Sequence, residues 1–172
     1  CYGGAQATVM TFLPIYIEED LGLSSTSVGF YLSAMNISGI ISQPILGYLS
    51  DLWGRRSILP PSLAVLGLSL IVMSWVDAGI PFTFFLILGG AFLFPLMAII
   101  LASAVDVVSQ EVQATTVSLV FGAAVIVSSA VPAVAGIIAD AFTVQVTFLL
   151  AGVIILIACA VSIVTRWNLD AS

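Results

Sequence analysis

Lysine and histidine are absent from this sequence, arginine occurs three times, and the only cysteines are Cys1 and Cys159. Charged residues make up 7% of the 172, against roughly a quarter in an ordinary soluble domain. That deficit excludes a soluble globular protein. Three cations against nine acids leave a net charge of -6, with no basic surface to neutralise phosphates, so no nucleic-acid partner is expected. Without histidine or closely spaced cysteines there is no zinc pattern and no nucleophile with an imidazole base, so neither a metal, a cofactor nor an enzyme activity is expected.

What is present is apolar: 61% of the residues, in stretches separated by clustered charges. Runs at 1–17, 21–50, 57–76, 78–105, 112–139 and 141–165 lie between Glu18–Asp20, Asp51–Arg56, Asp77, Asp106–Glu111, Asp140 and Arg166. A helix needs about 20 residues to cross a hydrocarbon core about 30 Å thick. The last five runs reach that length and the first falls just short. The expected architecture is an all-α transmembrane six-helix bundle forming one unit over 1–172, with helices near 1–17, 26–50, 57–76, 81–105, 112–138 and 144–166. The chain opens on Cys1 with no basic segment before its apolar run, which reads as a fragment starting in or just before a membrane helix rather than as a signal peptide.

Arg55 and Arg56 lie between the second and third runs and Arg166 follows the sixth, so alternating crossings place all three on one side of the membrane. The excess of positive charge in cytoplasmic loops makes that side the cytoplasm, with both termini inside and the acids at 18–20, 77 and 140 outside. Short turns leave no room for a soluble domain between helices.

Prolines and small polar residues shape the helices. Pro60, Pro61 and Pro81 read as helix starts. Pro44, Pro95 and Pro132 fall inside helices two, four and five and should kink them, because each removes one backbone hydrogen bond. At 100° per residue, Gly29, Ser33, Asn36, Gln43 and Gly47 form a stripe on helix two that runs to Asp51, and Thr115, Ser118, Gly122, Ser129, Ala133 and Gly136 form another on helix five. Helix one carries Tyr2, Gln6 and Tyr16, and helix four a small face of Ala91, Pro95, Ala98 and Ala102. Helix six and the middle of helix three are nearly uniform. Helices three and six are therefore expected to face lipid, and one, two, four and five to line the interior. Close packing alone accounts for stripes of glycine, alanine and serine. The amides of Asn36 and Gln43 require partners or water, either as clamps between helices or as a polar cavity wall.

Helix two ends in PILGYLSD and helix five in PAVAGIIAD, so Pro, Gly and Asp recur at the same place in each three-helix unit, on opposite sides of the membrane. Such recurrence is the mark of two inverted three-helix repeats. Between helices two and three stands GYLSDLWGRRS, residues 47–57. It resembles the signature loop of the major facilitator superfamily, G-x-x-x-D-(R/K)-x-G-R-(R/K), matching at Gly47, Asp51, Gly54, Arg55 and Arg56 and departing at Leu52, where the family usually has a basic residue.

The resemblance covers the whole chain, and what it implies is half of a twelve-helix transporter. SSAVPAVAGIIAD is similar to the eleventh helix of complete members, and TFLPIYIEEDLGLS to the seventh helix and its outer turn, so the C-terminal half is implied, missing its N-terminal six-helix partner. The implied function is secondary active or facilitative transport of a small solute by alternating access in the cell (inner) membrane. Substrate-cavity candidates are Gln6, Asn36, Gln43 and Ser129, with Tyr16 and Phe94 as walls. The implied cytoplasmic gate comprises Gly47, Asp51, Gly54, Arg55, Arg56 and Asp106. A six-helix scaffold or channel subunit, without transport activity of its own, is the other class that fits the composition.

Overall fold

The computed structural model describes residues 1–170, and side chains as far as Val164. Arg166, the third cation of the topology argument, has its side chain outside the described residues. The described chain is helical and folds back on itself as six rods. Rod one is α1 (Tyr2–Ile15), extended by a π-helical turn over Tyr16–Asp20; rod two is α2 (Ser25–Trp53) and rod three α3 (Arg55–Met73). Rod four consists of two consecutive helices, α4 (Ile80–Leu93) and α5 (Pro95–Asp106); rod five is α6 (Gln113–Ala141) and rod six α7 (Gln145–Asp170).

Four stretches among the described residues are long and apolar enough to cross a membrane: Arg55–Met73, Ile80–Asp106, Gln110–Ala141 and Gln145–Val164. Rod two has 29 residues and ample length, but Asn36, Gln43, Pro44 and its serines dilute its apolarity. Rod one is apolar but its α-helix has only 14 residues before the backbone widens into the π-turn.

Several sequence boundaries need correction. The third helix begins at Arg55, so Pro60 and Pro61 sit in its second turn rather than its first. The fourth helix is not continuous, because Pro95 starts a new helix after Phe94. Pro44 and Pro132 lie within unbroken helices, and Pro14 is a further internal proline, in α1. One proline breaks its rod and the others do not; the difference lies in their neighbours, as the site shows below.

Rods three and six pack most extensively on each other. Rod one lies against rods five and six, and rod four against rods two and three. Membrane helices gain little from hydrophobic burial against one another, so close approach at small residues is what holds them. At the crossing of rods three and six, a Cβ on Gly67 would come within 3.1 Å of the Gly152 carbonyl oxygen, and one on Gly152 within 2.9 Å of the Gly67 carbonyl. Rod one meets rod five at Gly3 and Gly4, against Ser128 and Val131, and rod four meets rod two at Gly90, against Met35 and Ser38.

One end of the bundle is closed by aromatics. Tyr16 of rod one lies 5.9 Å from Phe82 of rod four and 5.2 Å from Phe148 of rod six, and Tyr31 of rod two lies 5.6 Å from Phe82. Tilted and edge-on rings at these separations are favourable beyond the area they bury. The opposite end carries Arg55.

Rods two and five are the least covered. Rod two buries only Val28, Met35, Gly39 and Ser50, and rod five only Ala135. On rod two the stripe of Gly29, Ser33, Asn36 and Gln43 is exposed, and beside it runs an exposed apolar arc of Phe30, Ile37, Ile41, Ile45 and Tyr48. Rod five repeats the arrangement, with Ser118, Gly122, Ser129 and Ala133 beside Leu119, Ile126, Val134 and Ile137.

Candidate functional site

The loop from rod two to rod three is a single residue. Gly54 ends α2 and caps α3 with φ +83°, a region in which a Cβ is strained, so glycine is required for a reversal this tight. The turn delivers Arg55 to the start of α3, one helical turn after Asp51. Its guanidinium lies 3.4 Å from Asp51 and its Nε 2.8 Å from Oδ2 of Asp106, the last residue of α5. Arg55 thus bridges rods two and four. Its side chain is 29% exposed, against 69% for Asp51 and 55% for Asp106, so the cation is the sheltered member and the acids are its rim. Arg56 is exposed. Gly47 has open space where a Cβ would be, with no atom of the described residues within 4 Å.

Of the cavity candidates, Gln6 and Ser129 come together. They line a hollow of about 320 Å³ between rods one, four and five with Gly3, Met97, Phe121 and Ser128. One amide and two hydroxyls are the polar groups of an otherwise apolar wall, and no charge lies in it. Ser129 also donates to the Val125 carbonyl at 2.9 Å. Asn36 and Gln43 lie apart from this hollow, on the exposed stripe of rod two. The Asn36 amide donates to the Leu32 carbonyl one turn back at 2.7 Å, which provides the partner that a helix interior demands without a second helix.

Tyr16 sits elsewhere. It is 1% exposed within the aromatic cluster and borders a separate hollow of about 300 Å³ with Asp77 and Gln145. Phe94 occupies the break in rod four, its ring against Gly39 of rod two. A larger hollow of about 440 Å³ near Cys1 is lined mainly by apolar residues such as Leu59, Leu63, Met97 and Ile100, which could hold an apolar body but offer little to orient it.

Sequence reasoning missed two participants, Ser128 and Ser42, and named Tyr2 without its partner. Ser128 was hidden because it falls off the stripe drawn through Ser129. Ser42 donates to the Ala91 carbonyl of rod four at 2.6 Å, and Tyr2 donates to the Leu93 carbonyl. Only the repeated Gly-Gly-Ala of residues 3–5 and 89–91 could have hinted that rods one and four make equivalent close crossings.

These features define a multi-pass membrane protein, all-helical in its described residues, with small polar stripes on rods two and five and a charged clasp at one end. The chain belongs to the Major Facilitator Superfamily, whose family model matches residues 1–171. It is 29% identical over 171 residues to a multi-drug resistance efflux pump, PmrA, of Streptococcus pneumoniae, covering 94% of this chain and 41% of that protein. It is 38% identical over 60 residues to a melibiose permease of Enterobacter cloacae, covering 35% of this chain and 14% of the permease. Over 74 residues it is 34% identical to a bacillibactin exporter of Bacillus subtilis, covering 43% and 18% respectively. The chain therefore spans about two fifths of the length of the relative that it matches from end to end.

Proposed function

We propose that this chain is the C-terminal six-helix half of a transporter that moves a small solute across the cell (inner) membrane by alternating access, with both termini and the Arg55 turn in the cytoplasm. The observation that carries the reading is the Arg55 clasp. A cation held by acids on two different rods, at the mouth of a bundle with polar inner stripes, can be made in one conformation and broken in another. Such an interaction shifts the equilibrium between conformations by its own free energy.

Two further features support it. The packing pattern maps onto itself when rods one, two and three are exchanged for four, five and six, as expected of an inverted repeat. Rods two and five each leave a polar stripe uncovered beside an apolar arc, which suits a partner half on one side and lipid on the other. The hollow of Gln6, Ser128 and Ser129 forms this half's share of the solute path. With no charge in it, it contacts neutral or apolar parts of the solute, in keeping with relatives named for multi-drug efflux, melibiose and bacillibactin.

The test is transport by the full gene product. Cells with and without the gene are given ethidium, melibiose and bacillibactin in turn, and gene-dependent movement of at least one is expected. Equal movement of all three in both cell types would count against the reading.

A further inference from the structure

Pro95 has no N–H, so the Ala91 carbonyl four residues earlier has no donor within its own helix. An unpaired carbonyl away from water is costly, and in a membrane protein another group must satisfy it. Ser42 does so from rod two, with its Oγ 2.6 Å from the Ala91 oxygen. The same Oγ is 3.0 Å from the Gly39 oxygen of its own helix. A hydroxyl has one proton, and it belongs on the shorter contact, to the acceptor that Pro95 leaves empty.

Two glycines make this reach possible. A Cβ on Gly90 would stand 2.4 Å from the Met35 carbonyl oxygen, and one on Gly39 would stand 2.3 Å from the Phe94 ring, so rod four's backbone meets rod two's at Gly90 and its Phe94 ring lies on the rod two backbone at Gly39. From rod one, the buried Tyr2 hydroxyl donates to the Leu93 carbonyl. Residues 91 and 93 point to opposite sides of a helix. Rod four is thus gripped from both sides at the place where α4 gives way to α5.

We propose that Ser42 and Tyr2 are positioning residues for the charged clasp: their hydroxyls set the bend of rod four at Phe94 and so hold Asp106 against Arg55. The inference rests on the gate reading for its functional meaning, but not for its geometry. From Pro95 to Asp106, α5 has 12 residues and a length of about 18 Å, so a change in bend of roughly 10° would carry its far end about 3 Å. That is enough to separate Arg55 from Asp106. Pro44 and Pro132 lie in helices that continue unbroken, so a proline in this bundle does not by itself interrupt its rod.

The test is a distance measured by pulsed electron resonance in the full gene product in lipid. Cys1→Ser, Cys159→Ala and replacement of any cysteine elsewhere in the gene product remove the native thiols, and spin labels are placed at the exposed positions of Ser57→Cys and Ser109→Cys, flanking the clasp. Ser42→Ala with Tyr2→Phe should broaden the distribution and move its mean outward by about 3 Å, the displacement that a 10° change gives. Ser42→Thr with native Tyr2 should retain the original distance. Ser38→Ala, which removes a hydroxyl bonded only within rod two, should leave it unchanged and reports general loosening. A distribution unaltered in the double variant, or an equal shift in Ser38→Ala, overturns the proposal. A shift in the double variant accompanied by normal gating of Arg55 and Asp51 variants would uphold the bend and overturn the gate.

Discussion

The Nε of Arg55, in the first turn of α3, lies 2.8 Å from Oδ2 of Asp106, the last residue of α5. Arg56 is exposed beside it. Two adjacent arginines equivalent in composition are therefore unequal in structure. Arg55→Gln in the full gene product should change the balance of inward- and outward-accessible states, by about two- to fivefold given the modest worth of partly exposed pairs. Arg56→Gln should change it less. Thiol labelling of single cysteines on the two sides of the cavity gives the comparison, and equal effects would mean that the pair acts only through net charge.

Asp51→Asn keeps the shape of the side chain and removes its charge. Asp51 shares Arg55 with Asp106 at the longer distance of 3.4 Å. The substitution should favour the inward-open state and slow turnover, with expression close to normal because the carboxylate is largely exposed. An unchanged accessibility pattern together with normal turnover would leave Asp51 a merely local role in the turn.

Gly90→Ala should destabilise the protein by about 1–3 kcal/mol, the usual cost of overpacking, because the new methyl meets a backbone oxygen that cannot move aside alone. Gly122→Ala is the matched control, since no atom lies within 4 Å of the position its Cβ would take. Thermal unfolding of the full gene product in detergent should place Gly90→Ala clearly below Gly122→Ala. Equal midpoints would show that rods two and four can separate without penalty.

Gln6→Ala should alter the apparent affinity for a transported solute more than Asn36→Ala. Gln6 faces the hollow with Ser128 and Ser129, whereas the Asn36 amide is spent on the Leu32 carbonyl of its own helix. Concentration dependence of transport is the measurement. A larger effect at Asn36 would move the solute path to the exposed stripe of rod two.

Membrane orientation is tested with one reporter at each end of the bundle. Arg56→Cys and Asp140→Cys are at exposed positions. An impermeant thiol reagent added outside intact cells should reach position 140 and not position 56. Labelling of both from outside would refute a cytoplasmic Arg55 turn.

The number of rods was legible in the sequence because charge is so scarce that its clusters mark every reversal. The Gly54 turn was legible too, since a one-residue link between long helices needs a backbone that tolerates positive φ. Side-chain period alone placed the small stripes of rods two and five on one face each, because that calculation involves a single helix.

Whatever depended on a second helix was not legible. Tyr16 and Gln6 share rod one, yet the fold carries one into an aromatic core and the other to a mainly apolar hollow with Ser128 and Ser129. Pro44, Pro95 and Pro132 look alike in sequence, but only beside Pro95 do Ser42, Gly39 and Gly90 supply a donor and the room to use it. Asp106 and Glu111 both flank the turn between rods four and five, and the direction of α5 brought Asp106 to Arg55. Composition and periodicity determined which segments are long and apolar and which faces are small or polar, because hydropathy and helical period are properties of a single stretch of chain. Which carbonyl receives a hydroxyl and which acid meets a cation was decided by tertiary structure, because hydrogen bonds and ion pairs exist only where two rods converge within about 3 Å.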